Sequence, residues 1–269
     1  MTSKTLPPIH PNIGIESDYA RRLEALVEAM HKSIMYWVLR SYQSNQPHTV
    51  MAQDDSSAVL LDKLIKRLSR YWQRSFNAAA VELAKYFAKK NTQRTDNSLE
   101  QILKESGFAI KFKVTPAAND VLQATVKANV ALITNMSQQH LKEIQGMVMR
   151  SVQTGRDIGT LAKQLEARYD MTKKRARLIA RDQNNKATAA LTRIRQVEIG
   201  VTQAKWLHSH AGREPRPTHL ANNGKLYDVR KGWFDPDANG KGKGAWIYPG
   251  YLINCRCVSR SVIPELGVR

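Results

Sequence analysis

The sequence contains few cysteines, few acidic residues and no long apolar segment. Its two cysteines, Cys255 and Cys257, are too few for a disulfide-stabilised fold and suit a reducing compartment. No uninterrupted run of about 18 apolar residues occurs, so we predict no membrane-spanning helix and no membrane partner. Residues 1–15 contain three prolines and lack the apolar core of a signal peptide, so we expect folding in the cytoplasm.

Acidic side chains are strongly outnumbered by basic ones. The chain has 23 Asp and Glu residues against 42 Lys and Arg residues, which gives a formal net charge of +19. The last 98 residues hold 19 of the basic side chains and only seven of the acidic ones. This charge favours contact with nucleic acid or with an acidic protein surface. The alternative interpretation is a basic surface that serves solubility alone.

Apolar residues recur at three- and four-residue steps through most of the chain. This spacing predicts long amphipathic helices. We therefore predict an extended arm over residues 1–15, a helical body over 16–201 and a compact, turn-rich C-terminal module over 202–269. The predicted fold class is mainly α, with this module as a small α+β region.

Three short segments are predicted to be strands. Apolar residues at 108, 110, 112 and 114 alternate with Ala109, Lys111 and Lys113, which predicts a half-buried strand over 108–114. We expect this strand to complete a sheet with the C-terminal module. Within the module, residues 225–227 and 251–253 are the predicted strands.

Two cysteines and nearby histidines form a candidate metal site. Cys255 and Cys257 are separated by one residue on an apparent strand, so both side chains should point to the same face. A disulfide between them would close a strained ring. Two thiolates with His219 and His210, or with His208 in place of His210, match tetrahedral zinc. Structural zinc is the candidate cofactor, and two small, partly buried thiols without a metal are the alternative.

A second set of residues is expected to hold the C-terminal module together. Trp206 is most simply interpreted as a core or interface aromatic, with base stacking as the alternative. We expect Arg213 and Arg216 to brace the fold by pairing with carboxylates such as Asp182, although phosphate is the other natural ligand of an arginine. The set also includes Pro249, Gly250 and Arg256.

Basic side chains in two places are candidate contacts to a nucleic-acid backbone. They belong to the helix that follows Thr172 and to the glycine-rich loop near residue 240. They are Lys173, Lys174, Arg175, Arg177, Lys241 and Lys243. Such contact would be independent of sequence and sensitive to salt. The alternative is a solvated helix face together with mobile loop lysines.

The C-terminal motifs, taken in chain order, resemble one known family. An I-A-R-D-Q segment contains Asp182, Trp206 follows, and then come an R-x-x-R-x-x-H segment ending at His219, a Pro-Gly turn and the C-R-C of residues 255–257. This order is similar to the phage Mu protein F-like family of minor head proteins, over roughly residues 114–263. That family usually has an aspartate shortly after the tryptophan, where this chain has His-Ser-His at 208–210.

The resemblance implies a minor capsid or head morphogenesis protein of a tailed phage or prophage. Its implied partners are the portal protein, the scaffold or major capsid protein, and packaged DNA bound without sequence preference. Its implied location is the virion head, in the capsid interior or at the portal vertex, after assembly in the host cytoplasm. The resemblance implies no catalytic residue. The alternative is a metal-dependent, nuclease-like enzyme, although the sequence lacks H-E-x-x-H and the zinc deaminase pattern.

Overall fold

The computed structural model describes residues 3–44, 57–154, 157–210, 214–238 and 242–264. Five helices form within these residues. They are α1 (Ile13–Ser44), α2 (Ser57–Glu105), α3 (Pro116–Gln153), α4 (Ile158–Glu198) and the short α5 (Pro217–Ala221). The prediction of a mainly α fold with a small C-terminal α+β region is confirmed. A search of the described helices finds none whose length and apolar content would let it cross a membrane.

Six short strands are present in the described residues. They are β1 (Ser3–Thr5), β2 (Gln203–Leu207), β3 (Leu226–Asp228), β4 (Trp233–Asp235), β5 (Ala245–Ile247) and β6 (Val258–Pro264). Four of them form an antiparallel sheet in the order β1-β6-β2-β3, and β4 pairs separately with β5. In the central pair, Trp206 lies opposite Ser259 and Leu207 opposite Val258. The strand predicted at 225–227 corresponds to β3.

The chain forms two compact units, neither of which is continuous in sequence. Unit 1 comprises Met1–Ser17, Lys85–Val126 and Ala180–Arg269, and unit 2 comprises Asp18–Ala84 and Lys127–Ile179. This division differs from the three consecutive segments expected from composition. All the described strands lie in unit 1, whereas the described secondary structure of unit 2 is helical.

Polar side chains fix where three of the long helices begin. The Oδ1 atom of Asn12 accepts the Ile15 N–H at 3.0 Å before the first turn of α1. The hydroxyl of Thr115 accepts the Ala118 N–H at 3.1 Å at the start of α3. The carboxylate of Asp157 accepts two backbone N–H groups at the start of α4. Each oxygen satisfies a donor that the helix itself leaves unpaired.

The N-terminal segment is extended, as predicted, but it is packed into unit 1. Lys4 of β1 pairs with Ile263 of β6. Leu6 and Ile9 are 1% and 6% exposed, so they act as apolar anchors. Helix α1 already begins at Ile13, inside the range predicted as an arm.

The predicted strand over 108–114 is not formed. The segment is extended, and Phe108, Ile110 and Phe112 are half-buried against the apolar cluster that contains Leu103. None of the described strands pairs with it, and the Phe112 N–H donates instead to the Glu100 carboxylate at 2.8 Å. The period-two pattern therefore indicates which side chains pack against the apolar cluster. It does not indicate pairing with a neighbouring strand.

The predicted strand over 251–253 is also not formed, because the chain turns there. Tyr251 and Ile253 are 60% and 66% exposed. The Tyr251 N–H donates to the Tyr248 carbonyl at 3.1 Å and closes a tight turn. The strand that precedes the chain end begins later, at Val258.

Unit 2 has a largely apolar core with a few buried polar side chains. Helix α1 contributes Leu23, Val27, Met30, Ile34 and Val38, all 1% exposed or less. The Tyr19 hydroxyl, also buried, donates to Asn129 Oδ1 at 2.8 Å. This burial raises the pKa of Tyr19.

Candidate metal centre

Three ligand-type side chains meet in the core of the C-terminal module. The Nδ1 atom of His219 lies 3.5 Å from Sγ of Cys255 and 3.6 Å from Sγ of Cys257. The three ligand atoms all lie within 4.8 Å of one another. Their residues are 2%, 4% and 3% exposed, respectively. Among the residues that the structure describes, these three form the one group of three or more His, Cys, Asp or Glu residues whose ligand atoms are close enough to share a metal ion.

Local structure explains how the three side chains arrive at one place. Helix α5 begins with Pro217, whose fixed φ suits the first position of a helix, and its third residue is His219. Cys257 directly precedes β6. The Cys255 carbonyl accepts a hydrogen bond from the Asn185 side chain of α4 at 3.3 Å. A short helix, a strand and a long helix therefore position the group.

The far side of the His219 ring faces a buried carboxylate. His219 Nε2 lies 3.5 Å from Oδ2 of Asp235, a residue that is 1% exposed. The Thr218 hydroxyl donates to the same oxygen at 3.2 Å, and the Asp237 N–H donates to the other oxygen at 3.0 Å. The 3.5 Å contact lacks hydrogen-bond geometry, so Nε2 makes no hydrogen bond here, and Nδ1 is the ring nitrogen that faces the sulfurs.

Sequence reasoning missed Asp235, because the aspartates near it look like turn formers. The alternation of side chains along β4 indicates that Asp235 points inward. Asp235 follows Trp233 by two residues and therefore shares its side of β4, while Phe234 between them is exposed.

The two thiols compete for a single negative charge. A hydrogen bond from Cys257 lowers the pKa of Cys255, and His219 adds to this against the opposing effect of burial. The same contact with Cys255, together with burial, raises the pKa of Cys257. One thiol therefore ionises readily, whereas the negative charge of the first thiolate disfavours ionisation of the second. A divalent cation between them would offset this repulsion.

Aromatic rings surround the group. Trp206, which is 1% exposed, packs edge-on against the His219 ring with centroids 5.0 Å apart. Tyr227 and Trp233 pack against the same indole at 6.1 and 6.0 Å. The Trp206 ring is therefore part of the core around the three ligand-type residues and does not face solvent.

The two other candidate histidines, His208 and His210, pack against each other with ring centroids 4.6 Å apart and lie outside the group of three. His210 is exposed, has a φ of 52°, and its Nε2 lies 3.5 Å from the Asn223 amide nitrogen, outside the group of three. His208 is half-buried, and its Nδ1 accepts the His210 N–H at 3.0 Å. Burial and His210 lower the pKa of His208, while Cys255 acts in the opposite direction. Both histidines thus lie outside the group of three, and His208 is the less exposed of the two.

Asp182 and Arg216 hold the loop that leads to Cys255, but they do not pair with each other. Asp182 Oδ1 accepts the Asn254 N–H at 2.6 Å, and Oδ2 forms an ion pair with Lys186 at 2.9 Å. The Arg216 guanidinium donates to the Ile253 carbonyl at 3.1 Å. The expected pairing of Arg216 with a carboxylate is thus replaced by a bond to the backbone.

The Pro249-Gly250 pair forms the turn that brings the chain back to α4. Gly250 has a φ of 81°, which fits the third position of a type II turn with proline before it. A Cβ atom at this position would lie 2.6 Å from Cβ of Ala189. Glycine is required here both by the backbone conformation and by the close approach of the helix.

Among the candidate DNA contacts, the two arginines are engaged within unit 2. Arg177 donates to the Glu24 carboxylate through two nitrogens, and Arg175 donates to the side chains of Asn135 and Gln139. Burial and Arg168 lower the pKa of Arg175. These guanidinium groups are therefore less available to a phosphate.

The described lysines of that set are more accessible. Lys174 and Lys243 are exposed. Lys173 is half-buried, with Nζ 5.6 Å from the centroid of the Tyr169 ring. Arg256, between the two cysteines, is half-buried. The remaining candidates, Arg213 and Lys241, lie outside the described residues.

Arg195 differs from the other basic residues of α4 named above, because it lies in the core. Arg195 is 1% exposed, and its Nε and Nη2 atoms each donate to an oxygen of Asp96 at 2.8 Å. It also donates to Glu198 and to the Lys113 carbonyl. The burial of Arg195 could be expected from its position in α4, because it follows the buried Leu191 by four residues and so lies on the same, inward face of the helix.

Comparisons with known proteins agree with the motifs. Residues 142–260 match the family model described as Phage Mu protein F like protein. An uncharacterized protein of Haemophilus influenzae is 26% identical over 267 residues, which cover 97% of this chain and 56% of that protein. The chain thus spans little more than half the length of this relative. No solved structure matches the chain. The matched region contains all three members of the group around His219, and the match over residues 142–260 supports assignment of this region to the phage Mu protein F-like family.

Proposed function

We propose that this chain is a minor capsid protein that acts in head morphogenesis of a tailed phage or prophage. The observation that carries the proposal is the family match over residues 142–260. Proteins with these motifs are expected to associate with the portal or the procapsid interior and to act in head assembly and in DNA packaging or delivery.

A pair of exposed aromatic residues supports contact with a head protein. Phe234 and Trp246 lie opposite each other in the β4–β5 pair, with ring centroids 5.7 Å apart, and they are 46% and 48% exposed. Lys231 Nζ lies 4.4 Å from the Trp246 ring centroid. Clustered aromatics beside a cation are typical of residues that dominate binding energy at protein interfaces. We assign this pair to contact with the portal, scaffold or major capsid protein.

The charge supports a second contact, with packaged DNA. The formal net charge of +19 favours a polyanionic neighbour, and Lys173 and Lys174 are candidate phosphate contacts on α4. Such contacts carry no base preference and weaken as salt rises. The DNA contact would hold the protein beside the genome without selecting a site.

The burial of the candidate metal group argues for a structural role and against the nuclease-like alternative. Cys255, Cys257 and His219 are at most 4% exposed. A nucleic-acid strand would have to reach a metal-bound water for hydrolysis. These side chains offer no such access in the folded chain.

Co-expression with the portal, scaffold and major capsid proteins of the same phage tests the assembly role. Procapsids would be purified, washed with salt and quantified for this chain by mass spectrometry. We expect a few to some tens of copies per particle that persist through the wash. A chain that is absent from the particles would overturn the proposal.

The exposed aromatic pair is tested in the same assay. Replacing Phe234 and Trp246 with serine should reduce incorporation while leaving the thermal unfolding temperature unchanged. Tyr71→Ser is the matched control, because Tyr71 is 60% exposed but lies in unit 2. Equal incorporation of both variants would remove the assigned surface from the proposal.

Binding to mixed-sequence duplex DNA at several salt concentrations tests the DNA contact. Changing Lys173 and Lys174 to glutamine should reduce the salt slope by roughly 0.9 for each phosphate that the variant no longer neutralises. Arg177→Gln is the control, because its guanidinium is held by Glu24. An unchanged slope in the double lysine variant would exclude these residues from DNA contact.

A further inference from the structure

We propose that Cys255, Cys257 and His219 bind a structural zinc ion, with His208 as the fourth ligand. The inference goes beyond a role in head assembly and stands independently of it. Two thiolates and two imidazoles form one of the common ligand sets of structural zinc.

The spacing of the three central residues fits a shared tetrahedral ion. With Zn–S of about 2.3 Å and Zn–N of about 2.0 Å, tetrahedral angles place sulfur and nitrogen roughly 3.5 Å apart. The observed Nδ1 to Sγ separations are 3.5 Å for Cys255 and 3.6 Å for Cys257. A thiol sulfur is a weak hydrogen-bonding partner, so these contacts alone give little reason to bury three such groups together.

The surroundings of His219 match those of a metal-bound imidazole. Such a ring usually donates its second N–H to a carboxylate, which fixes the orientation of the ring and raises its basicity. The buried Asp235 carboxylate lies 3.5 Å from His219 Nε2, and it is itself held by Thr218 and by the Asp237 backbone. Nε2 makes no hydrogen bond in this structure, and a slight approach to Asp235 would give it one, while Nδ1 faces the two sulfurs.

The sheet register identifies His208 as the fourth ligand. Leu207 of β2 lies opposite Val258 of β6 in the last pair of the ladder, and extending this register by one step beyond both strands would set His208 opposite Cys257. Cβ atoms of directly opposed residues lie about 4.5–5.5 Å apart. His208 also lies two residues after the buried Trp206 and so shares its side of the strand. Its ring is not yet within 4.8 Å of all three ligand atoms, so ion binding would draw it inward.

Metal content of the purified full-length chain gives the direct test. We expect about one zinc ion per chain by elemental analysis, removable by a strong chelator. Replacing zinc with Co²⁺ should give a thiolate-to-cobalt charge-transfer band and the visible bands of tetrahedral cobalt. Wild-type protein that carries no zinc after expression in zinc-supplemented medium and shows no such bands would overturn the proposal, and this measurement needs no variant to fold.

Variants then test the individual assignments. Asp235→Asn should weaken zinc binding about 10–100-fold, the usual effect of removing an outer partner of a ligating histidine. His208→Ala should weaken zinc binding and alter the cobalt spectrum, whereas the exposed neighbour His210→Ala should change neither. The reverse result for these two histidines would overturn the choice of fourth ligand. Full zinc content in both Cys255→Ser and Cys257→Ser would overturn the site itself.

Discussion

Asp182 accepts the backbone N–H of Asn254 at 2.6 Å, so a side chain of α4 fixes a residue seventy-two positions later in the chain. Asn254 has a φ of 58° and immediately precedes Cys255. The contact therefore couples the interior of a long helix to the backbone that presents a candidate metal ligand.

Asp182→Ala should loosen this loop more than it lowers global stability. The Asn254 amide would lose a hydrogen bond to a charged acceptor, a contact of about 1.5–3 kcal/mol in general, and partial exposure places the loss near the lower end. Hydrogen exchange should show faster exchange at Asn254 and Cys255. Lys186→Ala is the control, since it removes only the ion pair. Equal protection in wild-type and Asp182→Ala protein would show that the contact does not hold the loop.

Gly250→Ala should destabilise the chain by about 2–4 kcal/mol. The left-handed backbone costs an alanine about 1–2 kcal/mol, and crowding against Ala189 adds a further cost typical of overpacked sites. Gly224→Ala is a matched control, because Gly224 has the same φ of 81° and nothing within 4 Å of the added Cβ. Denaturant unfolding should therefore show a larger loss at residue 250 than at residue 224. Equal losses would mean that the close approach to α4 relaxes freely.

Arg195→Met should lower the free energy of unfolding by about 3–5 kcal/mol, since it leaves the Asp96 carboxylate without its buried partner. Arg177→Met is the comparison. Its ion pair with Glu24 has a 59% exposed arginine side chain, and exposed pairs contribute about 0–1 kcal/mol. Chemical denaturation of both variants measures the difference. Similar small losses would contradict the burial of Arg195.

Acid should destabilise the chain through His140. Its Nδ1 lies 2.8 Å from the Thr172 hydroxyl, which itself donates to the Arg168 carbonyl, so Nδ1 carries the hydrogen and donates it to Thr172. Burial, with smaller effects of Arg168 and His31, lowers the pKa of His140 to about 3. Below about pH 6.5 this histidine binds a proton in the unfolded chain but not in the folded chain. The free energy of unfolding therefore falls by about 1.4 kcal/mol for each pH unit.

The His140 effect is measured as the slope of unfolding free energy against pH between about 6.5 and 4. His140→Asn should flatten this slope by up to one proton, while the exposed His10→Asn should leave it unchanged. A slope that is identical in wild-type and His140→Asn protein would show that the histidine is protonated in the fold.

The helical part of the fold was predictable because long helices bury a repeating apolar face that is visible in sequence. Strands were harder to predict. Residues 108–114 and 225–227 both look like strands, yet only the second finds a partner, in β2. Pairing depends on what lies beside a segment after folding, and local alternation contains no information about that neighbour.

The candidate site shows the same limit. The types of Cys255, Cys257 and His219 suggested a shared ligand set, and the structure does bring them together. The choice between His208 and His210 could not be made in the same way, because it depends on the sheet register. The burial of Arg195 is likewise not evident from its charge, although the residue lies on the inward face of α4.

The pairing of Lys4 with Ile263 sets an order of events during synthesis. β1 is made before the other described strands, but it has no sheet neighbour among them until β6 has been made. By then the whole sequence of unit 2, which ends at Ile179, has already been synthesised. β1 is therefore among the last of the described strands to pair in the sheet. The sheet of unit 1 is completed only after translation has passed residue 264.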